Sequence, residues 1–169
     1  INEFCKGSNW VMPEIFYGTI SKIRYREIVD LAIECNFNIF RIWGGGIINK
    51  KSFYEYCDEK GIMIWKEFPF ACTNYFASDK YLSVLESEAK AIIERRKDHS
   101  CIILWCGGNE LFNSWSGMTE QSLAMRLLNK ICYEEDQKTP FIYTSPLMGV
   151  GHGHYVFYDF KTNESVFEL

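Results

Sequence analysis

The segment Trp105 to Glu110 (WCGGNE) carries the residue types in this sequence that are best suited to chemistry. An apolar run opens into two glycines, and the amide of Asn109 then stands beside the carboxylate of Glu110. A carboxyl group that is partly desolvated near other acids has a raised pKa and can donate a proton near neutral pH. The same pair could instead cap the next helix, and spacing alone favours neither interpretation. Glu110 is therefore a candidate general acid/base.

Two more charged residues belong to apolar runs. Arg41 lies within NIFRIW (residues 38–43), where a charge is rarely left unpaired. It could hold a neighbouring carboxylate in its charged form, or it could form a purely structural ion pair. Glu67, in IMIWKEF (residues 62–68), could reach the same cleft as Glu110 or lie exposed on its rim.

Aromatic residues make up 17% of the chain. Their rings dominate protein cores, and they also form platforms on which the apolar faces of sugars can stack. Composition favours a large core over a ring-lined cleft. Trp10, Trp43 and Trp115 are nevertheless candidate sugar platforms, although each tryptophan by itself is more typical of a core.

We predict neither a metal site nor a cofactor. His152 and His154 share one loop (GVGHGHY), but two ligands on a loop indicate a metal site only weakly. The glycines Gly44 to Gly46 lack the spacing of a dinucleotide fingerprint. The sequence also contains no phosphate-loop, serine-hydrolase elbow or zinc-protease motif.

Short apolar runs alternate with stretches of helical periodicity along the sequence. The predicted strands span residues 4–11, 38–43, 62–68, 101–106 and 141–144. Ser21, Asn49 and Asp79 are the predicted N-caps of the first three helices, and the fourth helix is predicted to start at Thr119. Gly61 is predicted to end the second of these helices.

This alternation predicts an α/β fold. Nearly continuous apolar strands indicate a parallel sheet that helices cover. Both a doubly wound open sheet and a barrel satisfy the pattern. Glycines and polar residues cluster just after each strand, which is where a barrel builds its active site.

Composition excludes several functions. A net charge of −4 argues against nucleic-acid binding, and no apolar run is long enough to span a membrane. The seven cysteines have no metal-like spacing and lie mostly in apolar segments, which suggests reduced thiols and a cytoplasmic location. The chain begins with Ile and shows no signal-peptide pattern, so we expect it to be a piece of a longer protein.

Four segments resemble family 2 glycoside hydrolases, and the β-mannosidase branch most closely. They are KGSNW (6–10), NFNIFRIWGGG (36–46), FYEYCDEKGIMIWKEFPF (53–70) and DHSCIILWCGGNE (98–110). The resemblance runs from about residue 6 to 158. It implies a (β/α)8 TIM barrel preceded by β-sandwich domains, and hydrolysis of a terminal β-linked sugar, β-mannose, with retention of configuration. Residues 1–169 would supply the N-terminal part of that barrel, with five strands and four helices.

The resemblance also assigns roles. Glu110 matches the general acid/base, and Asn109 matches the residue that binds the sugar hydroxyl beside the anomeric carbon. Arg41 matches an arginine beneath the nucleophile, and Trp43 would form the floor of the cleft. The nucleophile itself belongs to strand seven, outside this chain, so we expect the chain alone to be inactive. The expected substrate-binding residues are Asn109, Arg41, Trp43, Glu67, Trp10, Trp115 and His154. The expected partners are a glycoside or oligosaccharide substrate and the remaining domains of the enzyme.

Three positions depart from the β-mannosidase pattern. Gly108 stands where an asparagine is usual, Glu67 replaces an aspartate, and residues 151–156 replace the usual G-D-x-H-x-W. The sugar is therefore open, and the alternatives are a β-galactosidase, β-glucuronidase or exo-glucosaminidase of the same family. A non-catalytic carbohydrate-binding barrel is a further alternative.

Overall fold

The computed structural model describes residues 3–147, 152 and 158–165. Its strands are β1 (Gly7–Trp10), β2 (Ile39–Ile42), β3 (Met63–Glu67), β4 (Ile102–Cys106) and β5 (Phe141–Ile142). Its α-helices are α1 (Lys22–Glu34), α2 (Lys51–Lys60), α3 (Asp79–Glu94) and α4 (Leu123–Glu135). A short 3-10 turn, Tyr17–Thr19, precedes α1. No helix in these ranges is long and apolar enough to cross a lipid bilayer.

The five strands form one parallel sheet in the order β1-β2-β3-β4-β5. A doubly wound sheet reverses its strand order at a switch point, and these strands show no such reversal. Crossovers between parallel strands are almost always right-handed. Four crossovers in one direction therefore place the four helices on the same face. The fold is an α/β arrangement wound in one direction, which is compatible with part of a barrel.

Two predicted helix boundaries are confirmed, and a third is one residue off. The Ser21 side chain accepts a hydrogen bond from a backbone N–H in the first turn of α1. Gly61 ends α2 with a left-handed φ of 72°. Asp79 was predicted as the N-cap of α3 but is its first helical residue, and the hydroxyl of Ser78 caps the helix instead.

The other two predicted helix starts are wrong. Helix α2 follows Lys50, whose side chain makes no capping hydrogen bond. Asn49 is instead buried, and its Oδ1 accepts a hydrogen bond from Nε1 of Trp10 at 3.2 Å. Helix α4 begins at Leu123, whereas Thr119 lies in the preceding turn. In both places a tertiary contact or a local turn uses the polar side chain that the sequence had suggested as a cap.

Alternate residues of each strand face the helices or the opposite side of the sheet. Trp10 faces the helices, where its ring lies 4.5 Å from the ring of Phe53 and 5.0 Å from that of Phe40. Only 5% of Trp10 is exposed. Trp10 was expected in a sugar cleft, and this expectation is wrong. Side chains alternate along β1, so Asn9 faces the cleft and Trp10 faces the helices.

A bulge in β4 sets which of its side chains faces which way. The pairing with β3 shifts between Ile64 and Trp65, so that Ile103 has no partner across the ladder. Beyond the bulge, Trp105 packs under the helices and Cys106 faces the opposite side. Every residue of β4 is apolar, and the sequence alone could not locate this shift.

All seven cysteines are free thiols. The buried ones are Cys57, Cys101, Cys106 and Cys132. Burial raises the pKa of each of these four thiols, so they remain protonated and unreactive at neutral pH.

Candidate active site

The carboxyl ends of β3, β4 and β5 meet around one residue. Beyond the strands, Asn109 forms parallel bridges with Ala71 on one side and Ser145 on the other. The N–H of Glu110 then donates to the carbonyl of Ser145 at 2.6 Å. Backbone hydrogen bonds to two neighbouring segments therefore fix the position of the Asn-Glu pair.

Glu110 adopts an unusual backbone conformation. Its φ of 52° lies in the left-handed region, which residues other than glycine adopt rarely and which is enriched at functional sites. The hydroxyl of Ser116 donates to the carbonyl of Glu110 at 2.5 Å and holds this turn. The side chain of Glu110 stays 25% exposed. The next helix has Ser122 at its N-cap, so the pair Asn109-Glu110 does not cap α4.

The side chain of Glu110 lines a cleft of about 380 Å³ on the face of the sheet opposite the helices. The cleft is lined by Asn9, Val11, Arg41, Trp43, Cys72, Asn109, Glu110 and His152. Four of the residues that the sequence singled out, two in or just after β2 and two in the segment that follows β4, are therefore brought together. They come from segments more than sixty residues apart in the sequence, Arg41 and Trp43 on one side and Asn109 and Glu110 on the other.

Glu67 lies beneath this cleft as the partner of Arg41. Its Oε1 accepts from Nε of Arg41 at 2.9 Å and lies 2.8 Å from Nη2. Its Oε2 accepts from the N–H of Gly44 at 2.8 Å. Burial raises the pKa of Glu67, while the charge of Arg41 and the Gly44 N–H oppose that rise. The side chain is fully buried, which corrects its expected place as a cleft or rim residue.

Gly44 is required by the close approach of two chain segments. A Cβ atom at this position would lie 2.4 Å from the carbonyl oxygen of Phe70 and 2.6 Å from that of Phe68. The absence of a side chain lets the Gly44 N–H reach the carboxylate of Glu67. The first glycine of the triple therefore serves the ion pair rather than a nucleotide.

Arg41, which Glu67 holds in place, also binds two asparagines that line the cleft. Its Nη2 donates to Oδ1 of Asn109 at 2.5 Å, and its Nη1 donates to Oδ1 of Asn9 at 2.8 Å. Because Oδ1 of Asn109 is occupied, Nδ2 must point away from Arg41, and it donates to Sγ of Cys72 at 3.2 Å. Asn9 was not among the predicted site residues, although its position next to Trp10 in a strand already placed it on the opposite face.

Two residues that we did not predict as substrate-binding or catalytic contact the carboxylate of Glu110. Sγ of Cys72 lies 3.6 Å from Oε2, and Nδ1 of His152 lies 3.3 Å from Oε1. Nε2 of His152 lies 2.9 Å from Oγ of Ser145. Cys72 follows β3 at the edge of the sheet where active sites are built, which was the available signal. The sequence had marked His152 only as a weak candidate metal ligand, and nothing in its spacing indicated a contact with Glu110.

The remaining predicted residues have other placements. Trp43 lines the cleft, whereas Trp115 is 66% exposed in the connection from β4 to α4 and does not line it. His154 lies outside the described residues. Within those residues, no group of three or more His, Cys, Asp or Glu side chains could hold a metal ion.

No protein-family model matches the chain. The sequence is 34% identical over 160 residues to β-mannosidase of Capra hircus, a match that covers 86% of this chain and 18% of the goat protein. The crystal structure of β-D-mannosidase from Dictyoglomus thermophilum superposes with a TM-score of 0.80 at 36% identity, covering 85% of this chain and 19% of the other. The chain is β-mannosidase-like. This confirms the resemblance drawn from the sequence motifs.

A fungal β-mannosidase is also similar to this chain. β-Mannosidase B of Thermothelomyces thermophilus is 40% identical over 110 residues, 65% of this β-mannosidase-like chain and 13% of the fungal protein. The chain thus spans less than a fifth of the length of each of these relatives.

Proposed function

We propose that this β-mannosidase-like chain is the N-terminal part of a (β/α)8 catalytic barrel. The full-length protein would be a retaining glycoside hydrolase that releases terminal β-linked mannose. The observation that carries the proposal is the carboxylate of Glu110, which emerges from the end of β4 into a cleft shared with Asn109 and Arg41. The remaining strands, the nucleophile and the other domains would come from the rest of the protein, since the chain spans only 18% of its goat relative.

The proposed reaction has two displacements at the anomeric carbon. In the first, Glu110 protonates the glycosidic oxygen while a carboxylate outside this chain attacks the sugar. Retaining enzymes place the two carboxyl groups about 5–5.5 Å apart. In the second, Glu110 removes a proton from the water that hydrolyses the covalent intermediate. The same side chain thus acts as acid and then as base.

The orientation of Asn109 supports its role as a sugar ligand. Arg41 occupies Oδ1, so the amide can only donate toward the cleft through Nδ2. In the complex, the oxygen of a sugar hydroxyl would replace the thiol of Cys72 as the acceptor of this hydrogen bond. Oxygen is the stronger acceptor, because thiol sulfur accepts hydrogen bonds only weakly.

A substrate panel tests the proposed activity. The full-length protein would be assayed with aryl β-mannoside, β-galactoside, β-glucuronide and β-glucosaminide, and NMR would follow the anomeric form of the first product. We expect the β-mannoside to be turned over fastest and β-mannose to form first. Preference for another sugar would change the proposed specificity. No turnover with any of them would favour a carbohydrate-binding protein.

His152 provides a test of how Glu110 is positioned. A small misplacement of a catalytic group costs a large part of the rate, so we expect His152→Ala to lower kcat/KM about tenfold for a substrate with a poor leaving group. The loss should be smaller with an activated aryl glycoside, which needs little proton donation. Tyr133→Ala, which changes an exposed residue of α4, is the control and should leave both rates unchanged. An equal loss with both substrates would make His152 a sugar contact instead.

A further inference from the structure

The hydroxyl of Ser145 is a buried polar group that the reaction described above does not use. The backbone of Ser145 follows β5 and is bound at two points: its N–H donates to the carbonyl of Gly108 at 3.0 Å, and its carbonyl accepts from the N–H of Glu110. Only 1% of the residue is exposed. Within the described residues, its hydroxyl has one hydrogen-bond partner, Nε2 of His152, at 2.9 Å. The segments that hold Glu110 therefore also fix this hydroxyl.

His152 lies between the hydroxyl of Ser145 and the carboxylate of Glu110. Its Nδ1 is 3.3 Å from Oε1 of Glu110, and only 13% of its side chain is exposed. This distance is slightly longer than an ideal hydrogen bond, as is common for catalytic groups before the substrate binds. One ring nitrogen thus faces the hydroxyl and the other faces the carboxylate. We call Ser145, His152 and Glu110 the hydroxyl–imidazole–carboxylate chain.

The burial of Ser145 determines which nitrogen of His152 carries the proton. A buried hydroxyl proton without an acceptor is costly. The Nε2 atom can accept a hydrogen bond only when it carries no proton itself. The hydroxyl therefore donates to Nε2, and the ring proton is on Nδ1. A ring with a proton on Nε2, whether neutral or charged, would leave the hydroxyl proton without its acceptor.

This tautomer makes the two oxygens of Glu110 different. The Nδ1–H group of His152 points to Oε1, and the carbonyl oxygen of a carboxylic acid accepts a hydrogen bond better than its hydroxyl oxygen does. Oε1 is therefore the carbonyl oxygen of the acid, and Oε2 carries its proton. Oε2 lies 3.6 Å from Sγ of Cys72. A thiol is a weak hydrogen-bonding group, so the glycosidic oxygen of a substrate can displace it.

The other charged groups nearby do not contact the carboxylate of Glu110. Arg41 binds Oδ1 of Asn109 and the buried carboxylate of Glu67. Among the described residues, His152 is the one basic side chain within ion-pair distance of Glu110. The difference between Oε1 and Oε2 therefore depends on the tautomer of His152.

We propose that Ser145 is a positioning residue of the glycosidase reaction, because its hydroxyl fixes the tautomer of His152 and so places the transferred proton on Oε2 of Glu110. The inference rests on the proposed function. In the first displacement, the proton moves from Oε2 to the glycosidic oxygen, which keeps the electron pair of the bond that breaks. In the second, the attacking water gives a proton to Oε2 as its oxygen bonds to the anomeric carbon and the nucleophile leaves. The proton on Nδ1 stays on the ring in both steps.

Neutron diffraction tests the tautomer directly. Crystals of the full-length protein would be exchanged into heavy water at neutral pH. We expect a deuterium on Nδ1 of His152, none on Nε2, and the deuterium of the Ser145 hydroxyl directed at Nε2. A deuterium on Nε2 would overturn the inference. This measurement does not depend on activity, so its result is separate from that of the proposed function.

A double-mutant cycle tests whether Ser145 acts through His152. In the full-length protein, Ser145→Ala should lower kcat/KM for oligosaccharides about fivefold, the usual effect of one lost hydrogen bond. With a dinitrophenyl glycoside, kcat/KM should stay at the wild-type value, because this leaving group needs no acid. The kcat should fall, because the second step still needs the base. In the His152→Ala background, Ser145→Ala should cause no further loss with either substrate.

The neighbouring hydroxyl of Thr144 provides the matched control. It is also buried, and it donates to the carbonyl of Gly108 and accepts from the N–H of Leu111. Any loss caused by Thr144→Val should therefore be the same with and without His152. A loss from Ser145→Ala that is also the same with and without His152, or equal with both substrates, would overturn the inference.

The outcomes separate this inference from the proposed function. A full-length wild type without glycosidase activity would overturn the proposed function and the role of Ser145 with it. An active wild type with the other tautomer, or with additive losses for Ser145 and His152, would overturn the inference alone. If Ser145→Ala does not fold, the neutron result decides the question.

Discussion

Replacing Glu110 with Gln in the full-length protein should lower kcat/KM by about 10²–10⁴-fold for oligosaccharide substrates, whose leaving group is the hydroxyl of another sugar. A loss of this size is the usual contribution of a general acid. The substitution keeps the shape of the side chain and its backbone contacts with Ser145 and Ser116. It removes only the proton that the leaving oxygen requires. The large loss is therefore expected from chemistry rather than from unfolding, and the melting temperature should change little.

Comparison of leaving groups separates acid catalysis from binding. The dinitrophenolate of a dinitrophenyl glycoside leaves without being protonated. The kcat/KM of Glu110→Gln on this substrate should therefore remain close to that of the wild type. Its kcat should still fall, because the second step has lost its base, and added azide should restore turnover as a glycosyl azide. Glu120→Gln, which changes an exposed acid in the same connection, is the matched control. An equal loss of kcat/KM with both leaving groups would remove Glu110 from the acid role.

The second large effect is expected from Glu67→Ala, which should destabilise the fold by about 3–5 kcal/mol, the usual result of breaking a buried ion pair. The change leaves the guanidinium of Arg41 without its carboxylate and the N–H of Gly44 without its acceptor. Arg41 also orients Asn109, so activity should fall even at temperatures where the variant remains folded.

A double-mutant cycle tests whether this energy belongs to the pair. Arg41→Met combined with Glu67→Leu removes both charges, and its loss of stability should be smaller than the sum of the two single losses. The exposed pair of Lys51 and Glu55 on α2 is the control, and breaking it should have no measurable effect on unfolding. Additive losses for Arg41 and Glu67 would show that the two side chains act independently.

The sequence by itself determined the order of strands and helices and the position of the catalytic candidate. Apolar runs separated by helical periodicity are local signals, and all five predicted strands occur within the predicted ranges. Asn109 and Glu110 were found because a polar pair directly after a buried strand lies at the edge of a parallel sheet. These features depend on neighbours in the sequence and not on how distant segments pack.

The tertiary structure decided which polar and aromatic side chains meet. Trp10 belongs to the core and Trp43 to the cleft, because the pairing of β1 with β2 and the strand alternation give them opposite faces. Glu67 became the buried partner of Arg41 rather than a residue of the rim. The contact of His152 with Glu110 joins two segments that are 42 residues apart in the sequence. Each of these outcomes depends on register and on the approach of distant segments. Periodicity constrains the local structure of a segment, but it carries no information about which distant segment lies against it.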